Sequence, residues 1–124
     1  MILNLTQHHG THEQGVIEPR DKREVQQLLT FNQIPTSDEM ASRAALLALI
    51  ALSHRVDSAL IGGAPYFMST LEKALCNVGI PPVYSFSQRI CVERTEGNTV
   101  IKENVFKHIG YISGVENHAY INGH

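Results

Sequence analysis

The stretch from Ser58 to Gly79 constrains the fold most, because it reads as a buried strand, a glycine turn and a helix in immediate succession. Ala59-Leu60-Ile61 is short and wholly apolar, as expected of a parallel strand covered on both faces. Gly62-Gly63 lets the backbone turn tightly with no Cβ in the way. Pro65 suits the first helical position, where its missing N–H costs nothing, and Phe67, Met68, Leu71, Ala74, Leu75 and Val78 recur at the spacing of one helix face. Gly79 then closes the helix as a left-handed cap. Unpaired N–H groups at such a helix start, reached through glycines, form a partly positive concavity suited to a phosphate or carboxylate. Any tight strand-to-helix connection is also built this way, so a ligand site requires other groups to converge on the same turn.

The rest of the chain supplies matching elements. Ile2-Leu3-Asn4-Leu5 reads as a first strand running into the polar Thr6-Gln7-His8-His9-Gly10-Thr11-His12. Glu18-Pro19-Arg20-Asp21 reads as a turn before a short helix over Lys22–Thr30, after which Phe31 and Ile34 are expected to pack the following loop. Thr36 with Glu39 three residues on is a capping box, and it opens a helix running to about His54 that is apolar on most of its surface. Such a helix is expected to be buried against the sheet and against a second subunit. Arg55 follows as a solvated cation favoured by the helix dipole.

After Ile80-Pro81-Pro82, Val83–Phe86 reads as a third strand ending in the polar Ser87-Gln88-Arg89. Alternation from Ile90, a turn at Thr95-Glu96-Gly97-Asn98 and a return over Thr99–Lys102 indicate an antiparallel hairpin, with a further strand over Val105–Ile112. The predicted architecture is α/β: a single small Rossmann-like domain over 1–112, with parallel core strands, right-handed crossovers and a C-terminal antiparallel hairpin. Residues 113–124 are expected to form a flexible tail.

A chain of 124 residues with 43% hydrophobic residues suits one soluble domain with its own core. The formal net charge of −2 excludes the strongly basic surface of a bulk DNA binder. Cys76 and Cys91 are expected to be reduced packing thiols in a cytoplasmic protein. The N-terminus lacks the basic flank and long apolar run of a signal peptide, and no stretch is suited to spanning a bilayer.

In an open α/β sheet, ligands bind at the carboxyl ends of the parallel strands. Those ends would gather Gln7, His8 and His9, the Gly62-Gly63-Ala64-Pro65 turn, and Ser85, Ser87 and Arg89. The set comprises imidazoles, an anion-binding helix start, hydroxyls and a guanidinium, and suits a phosphodiester better than an acyl or redox substrate. His8, His9 and His12 also invite a metal reading, but no acidic or cysteine partner stands at a ligand spacing, so no metal is assigned. Nor is there a dinucleotide fingerprint, a phosphate-loop lysine or a nucleophile elbow, so no cofactor is assigned. Tyr66 and Tyr84 read as core or interface aromatics, and His108 as a packing or edge residue of its strand.

The run Leu60-Ile-Gly-Gly-Ala-Pro-Tyr-Phe-Met68, a helix ending at a glycine, and Val83-Tyr-Ser-Phe-Ser-Gln-Arg89 resemble the core of small CRISPR-associated ring nuclease families, and Gln7-His8-His9-Gly10 is similar to the polar first loop of some of them. The opening Ile-Leu-Asn-Leu-Thr-Gln-His also looks like that of small uncharacterised proteins of bacteria and their mobile elements. The ring nuclease resemblance implies a homodimer that binds a cyclic oligoadenylate second messenger and cuts its phosphodiesters. It places Gly62 to Pro65 around phosphate and Arg89 on the reacting group. Ser87 stands where some relatives have aspartate, which favours a metal-free route in which the substrate's 2′-hydroxyl attacks and His8 or His9 assists proton transfer. A nucleotide-binding sponge or sensor without turnover, and a structural dimer with no small-molecule ligand, are the alternatives.

Overall fold

The computed structural model describes residues 1–114. Its elements are β1 (Ile2–Leu5), a 3-10 turn (His12–Gln14), α1 (Lys22–Leu28), α2 (Ser37–Ser53), β2 (Ser58–Ile61), α3 (Pro65–Asn77), β3 (Pro82–Glu96) and β4 (Thr99–Ser113). The four strands form one sheet in the order β1-β2-β3-β4, parallel from β1 to β3 and antiparallel between β3 and β4. The expected mixed α/β domain with a parallel core and a terminal hairpin is therefore present.

The local signals act as their chemistry requires. Thr36 Oγ1 accepts the Glu39 N–H at 3.1 Å and starts α2, and Asp21 Oδ1 accepts the Glu24 N–H at 3.0 Å and starts α1. Pro65 opens α3. At its other end Gly79 adopts φ 78°, which lets the Gly79 N–H reach the Cys76 carbonyl and the Ile80 N–H reach the Leu75 carbonyl, both at 3.0 Å. That double closure buries Ile80 and aims the chain back into the sheet.

Leu3 and Leu5 of β1 and Ala59 and Ile61 of β2 pack with Val25 and Leu29, with Ala44, Leu47, Ala48 and Ala51 of α2, and with Phe67, Leu71 and Leu75 of α3 in one core. Because side chains alternate along a strand, Asn4 and Leu60, paired in register, point to the opposite face. The chain after β1 turns back along its free edge, where the Asn4 N–H donates to the Ile17 carbonyl and the Ile17 N–H to the Ile2 carbonyl. Phe31 packs edge-on against Phe67 at 5.1 Å and lies under the Arg43 guanidinium at 4.5 Å. Ile34 does not pack the loop as expected: it is 96% exposed, because Phe31 alone turns inward.

The largest departure from expectation is the hairpin. β3 does not stop at Phe86; it pairs with β2 only at Pro82 and Val83 and then continues with β4 alone to Glu96. The two returning strands expected at Thr99–Lys102 and Val105–Ile112 are one strand, since every residue from Thr99 to His108 finds a partner on β3. The ribbon is bridged by Arg94–Glu103 at 2.9 Å and Glu93–Lys102 at 3.6 Å, exposed pairs of small energetic weight. Phe86, Val92, Val100, Phe106 and Ile109 are exposed along it. Cys76 and Cys91 are both free thiols. The expected tail over 113–124 lies outside the described residues beyond Gly114, whose N–H donates to the Pro82 carbonyl at 2.8 Å.

Phe67→Ala removes the largest fully buried side chain of the core and its contact with Phe31. It should cost about 3–5 kcal/mol, read as a lowered urea midpoint at unchanged slope.

Candidate functional site: a cleft at the strand ends

The register of the parallel strands determines what shares the cleft. Leu5 pairs with Ile61, and Leu60 with Val83, so each strand continued in register brings Thr6, Gly62 and Ser85 into one row. Gly62 and Thr6 are neighbours in fact: a Cβ on Gly62 would stand 3.7 Å from the Thr6 methyl. A cleft of about 510 Å³ opens on this row, lined by Thr6 to His9, Thr11 and Gln14 on one side and by Leu60 to Gly63, Tyr84 and Ser85 on the other. Gly63 sits at φ 145°, a conformation open to glycine, and sets the start of α3 beside the cleft.

Asn4 holds the histidine loop from below. This fully buried side chain donates through Nδ2 to the His8 carbonyl at 2.8 Å and to the Glu18 carboxylate at 3.1 Å, while its Oδ1 accepts the Thr6 N–H at 3.0 Å and the Thr6 hydroxyl at 2.7 Å. Glu18 also accepts the Gly10 N–H at 2.9 Å and pairs with Lys22 at 3.1 Å, and Lys22 donates to the Thr6 carbonyl at 2.7 Å. Burial acts to raise the Glu18 carboxyl, but the Gly10 N–H, the Asn4 amide and the Lys22 ammonium outweigh it and hold the group below its usual range. Gln7 is fastened as well, its Nε2 donating to Thr30 Oγ1 at 2.9 Å and its carbonyl accepting from Gln26 at 2.9 Å.

These bonds leave the two imidazoles free. His8 and His9 are exposed at the mouth of the cleft, and neither ring has a hydrogen-bond partner among the described residues. Tyr84 lines the opposite wall and donates to the largely buried Glu72 carboxylate at 2.5 Å. Burial and that carboxylate together push the Tyr84 hydroxyl far above its ordinary range, so it stays protonated. Burial, with Glu72 nearby, likewise pushes the Cys76 thiol up. Among the described residues no three His, Cys, Asp or Glu side chains form a metal-sized group.

Of the residues singled out from sequence, Gln7, His8, His9, Gly62, Gly63 and Ser85 line this cleft. Ala64 and Pro65 begin α3 just beyond it. Ser87 and Arg89 do not join them, because β3 runs on into the ribbon. Four residues of extended chain carry Arg89 about 13 Å past Ser85, and its guanidinium lies 5.4 Å from the centre of the Phe106 ring. The expected convergence of that arginine with the histidines is thus corrected.

Gln14 drew no reading from the sequence, and His108, expected to be a packing or edge residue of its strand, packs on Tyr111 and also reaches the cleft at Ser85. Ser85 Oγ stands 2.7 Å from His108 Nδ1 and accepts from Gln14 Nε2 at 3.4 Å, and the Tyr111 hydroxyl donates to the Gln14 carbonyl. The available signal was Gly110, since a glycine inside a strand pattern often marks a bulge.

A family described as uncharacterized protein MJ1673 family matches residues 1–112. The chain belongs to that family. The match to the MJ1673 family takes in all three parallel strands, the histidine loop and nearly the whole ribbon. No curated protein and no solved structure matches the chain. No described helix is long and apolar enough to cross a membrane.

Glu18→Gln should destabilise the fold by about 1–3 kcal/mol at neutral pH. Because the folded carboxyl sits below its ordinary value, the native protein holds this stability at neutral pH and loses it as pH falls through the ordinary carboxylate range to the folded value beneath it. Urea midpoints across that acid range should fall more steeply for the native chain than for Glu18→Gln, and exchange of the Gly10 amide should accelerate in the variant.

Proposed function

We propose that the cleft binds a phosphodiester of a cyclic oligoadenylate and cuts it by in-line attack of the substrate's own 2′-hydroxyl, giving a 2′,3′-cyclic phosphate and a free 5′-hydroxyl. The observation that carries this reading is the shared row of Thr6, Gly62 and Ser85 beneath two exposed imidazoles and beside a helix start. Glycines admit the phosphate close to the backbone, the α3 dipole favours its charge, and His8 or His9 protonates the departing 5′-oxygen. Among the described residues no lysine or arginine lines the cleft, so dipoles and imidazoles carry the anion. That absence also favours a second reading, a second-messenger binding protein without turnover.

A cleft of about 510 Å³ is sized for a drug-sized ligand, hence for one or two nucleotides rather than a whole ring. A symmetric ring would therefore be shared by two copies, which accords with α2. Its outer face exposes Ala45, Leu46, Leu49 and Leu52, and no charged residue stands between Ala44 and Ser53. An uncharged apolar face calls for an uncharged partner, and the same face of a second copy meets that requirement about a two-fold axis. Homodimerisation through α2 is accordingly part of the proposal.

Incubation with labelled cyclic tetra-adenylate, with and without chelator, should yield linear products in both cases, and replacing His8 and His9 together by alanine should slow the cut by about 100-fold. Tight binding with intact ring would support the binding protein instead, and neither binding nor cleavage would reject both readings. Leu49→Glu should convert the dimer to monomer in light scattering, and a wild-type monomer would remove the α2 interface.

A further inference from the structure

The strand pairing of the ribbon contains one irregularity, and it lies beside the cleft. Ser85 pairs with Tyr111 and Phe86 with Gly110, but Ser87 pairs with His108, so Ile109 is an extra residue on β4. In an unbroken antiparallel ladder, alternation would put His108 on the face opposite Ser85. The bulge at Ile109 shifts the count by one and returns His108 to the face that carries Ser85 and Tyr111. The Tyr111 ring packs against the imidazole at 4.8 Å, and its hydroxyl is anchored on the Gln14 carbonyl.

The result is a hydroxyl in the cleft whose bonds are already assigned. Ser85 Oγ accepts from Gln14 and, in the tautomer with the ring proton on Nε2, donates to His108 Nδ1 at 2.7 Å. One lone pair remains for the cleft. We infer that Ser85 and His108 are a proton-transfer pair, the basic half of the chemistry in this cleft. The inference deepens the phosphodiesterase reading and rests on it for the identity of the attacking group. As the substrate 2′-oxygen bonds to phosphorus and the bond to the 5′-oxygen breaks, the 2′-hydroxyl gives its proton to Ser85 Oγ, and the Ser85 proton passes to Nδ1. The 5′-oxygen takes its proton from His8 or His9, so the two ends of the step are served from opposite walls. Ser85 touches the substrate; His108 acts through it and is a positioning residue and proton store.

The same arrangement makes Ser85 reactive toward a phosphorus electrophile with no nucleotide present. With a fluorophosphonate, an Oγ–P bond forms, the P–F bond breaks, fluoride leaves and the serine proton goes to His108. Intact-mass and peptide analysis should find one label on Ser85 in the native chain and none on His108→Gln or, if that variant is misfolded by circular dichroism, on His108→Asn. Ser85→Ala and His108→Gln should each lower cleavage of cyclic tetra-adenylate about 100-fold or more while leaving ligand affinity within a few-fold, and the double variant should be little worse than either. A native Ser85 that stays unlabelled, or one labelled equally without His108, overturns the pair. Cleavage that survives Ser85→Ala at the native rate removes it from the reaction. Labelling at Ser85 in a protein that cuts no cyclic oligoadenylate supports the pair and rejects the phosphodiesterase reading alone.

Discussion

Hydrogen-bond register between three parallel strands is the constraint on which the other features depend. A slip of one residue between β1 and β2 would replace Thr6 by Leu5 opposite Gly62 and turn the buried Asn4 into the helical core, where its amide would lose Glu18, Thr6 and the His8 carbonyl. An unsatisfied buried amide of that kind costs on the order of 1–3 kcal/mol, a sizeable share of the stability of a small domain. The apolar partition works in the same direction, because Leu3, Leu5, Ala59 and Ile61 face the helices only in the observed pairing. Structure and site therefore have one cause: the register that buries the leucines also aligns the polar residues that follow them.

The face of the sheet that the helices leave free is covered by the loop after β1 rather than by another helix. Asn4, Glu18 and Lys22 fasten this loop from within, and Gln7 ties it to the end of α1. Fixed in this way, it presents the rings of His8 and His9 without using their nitrogens. Gln14, from the same loop, reaches across to Ser85 while its carbonyl receives the Tyr111 hydroxyl, so the loop and the base of the ribbon position each other.

Much of this was legible in the chain because its signals are local. The capping residue Thr36, the proline at the start of α3 and the left-handed Gly79 each act within one turn of helix, and each fixed an element end within about two residues. The strand–glycine–helix run around Gly62, taken with the polar residues that follow the strands on either side of it, likewise pointed to the cleft and most of its lining. What the sequence hid was long-range. Polar residues at 87–89 resemble the end of a strand, yet pairing with residues 106–108 carries β3 onward, and that choice removes Arg89 from the cleft. The bulge at Ile109 depends on the partner strand too, so the facing of His108 is invisible to any count along β4 alone. Asn4, within an apolar run, gave no hint of its four partners, since they come from residues 6, 8 and 18 on a returning loop.

A ribbon stretching beyond the sheet and a helix with a bare apolar flank give the molecule surfaces its own core does not use. The proposed chemistry lies away from both, at the row of strand ends. Amide chemical-shift mapping during titration with cyclic tetra-adenylate tests this most directly. The largest shifts are expected at Thr6–His9, Gly62, Gly63 and Ser85, with His108 following; shifts confined to the ribbon around Arg89 and Phe106, or none at saturating ligand, would place the site elsewhere or remove it.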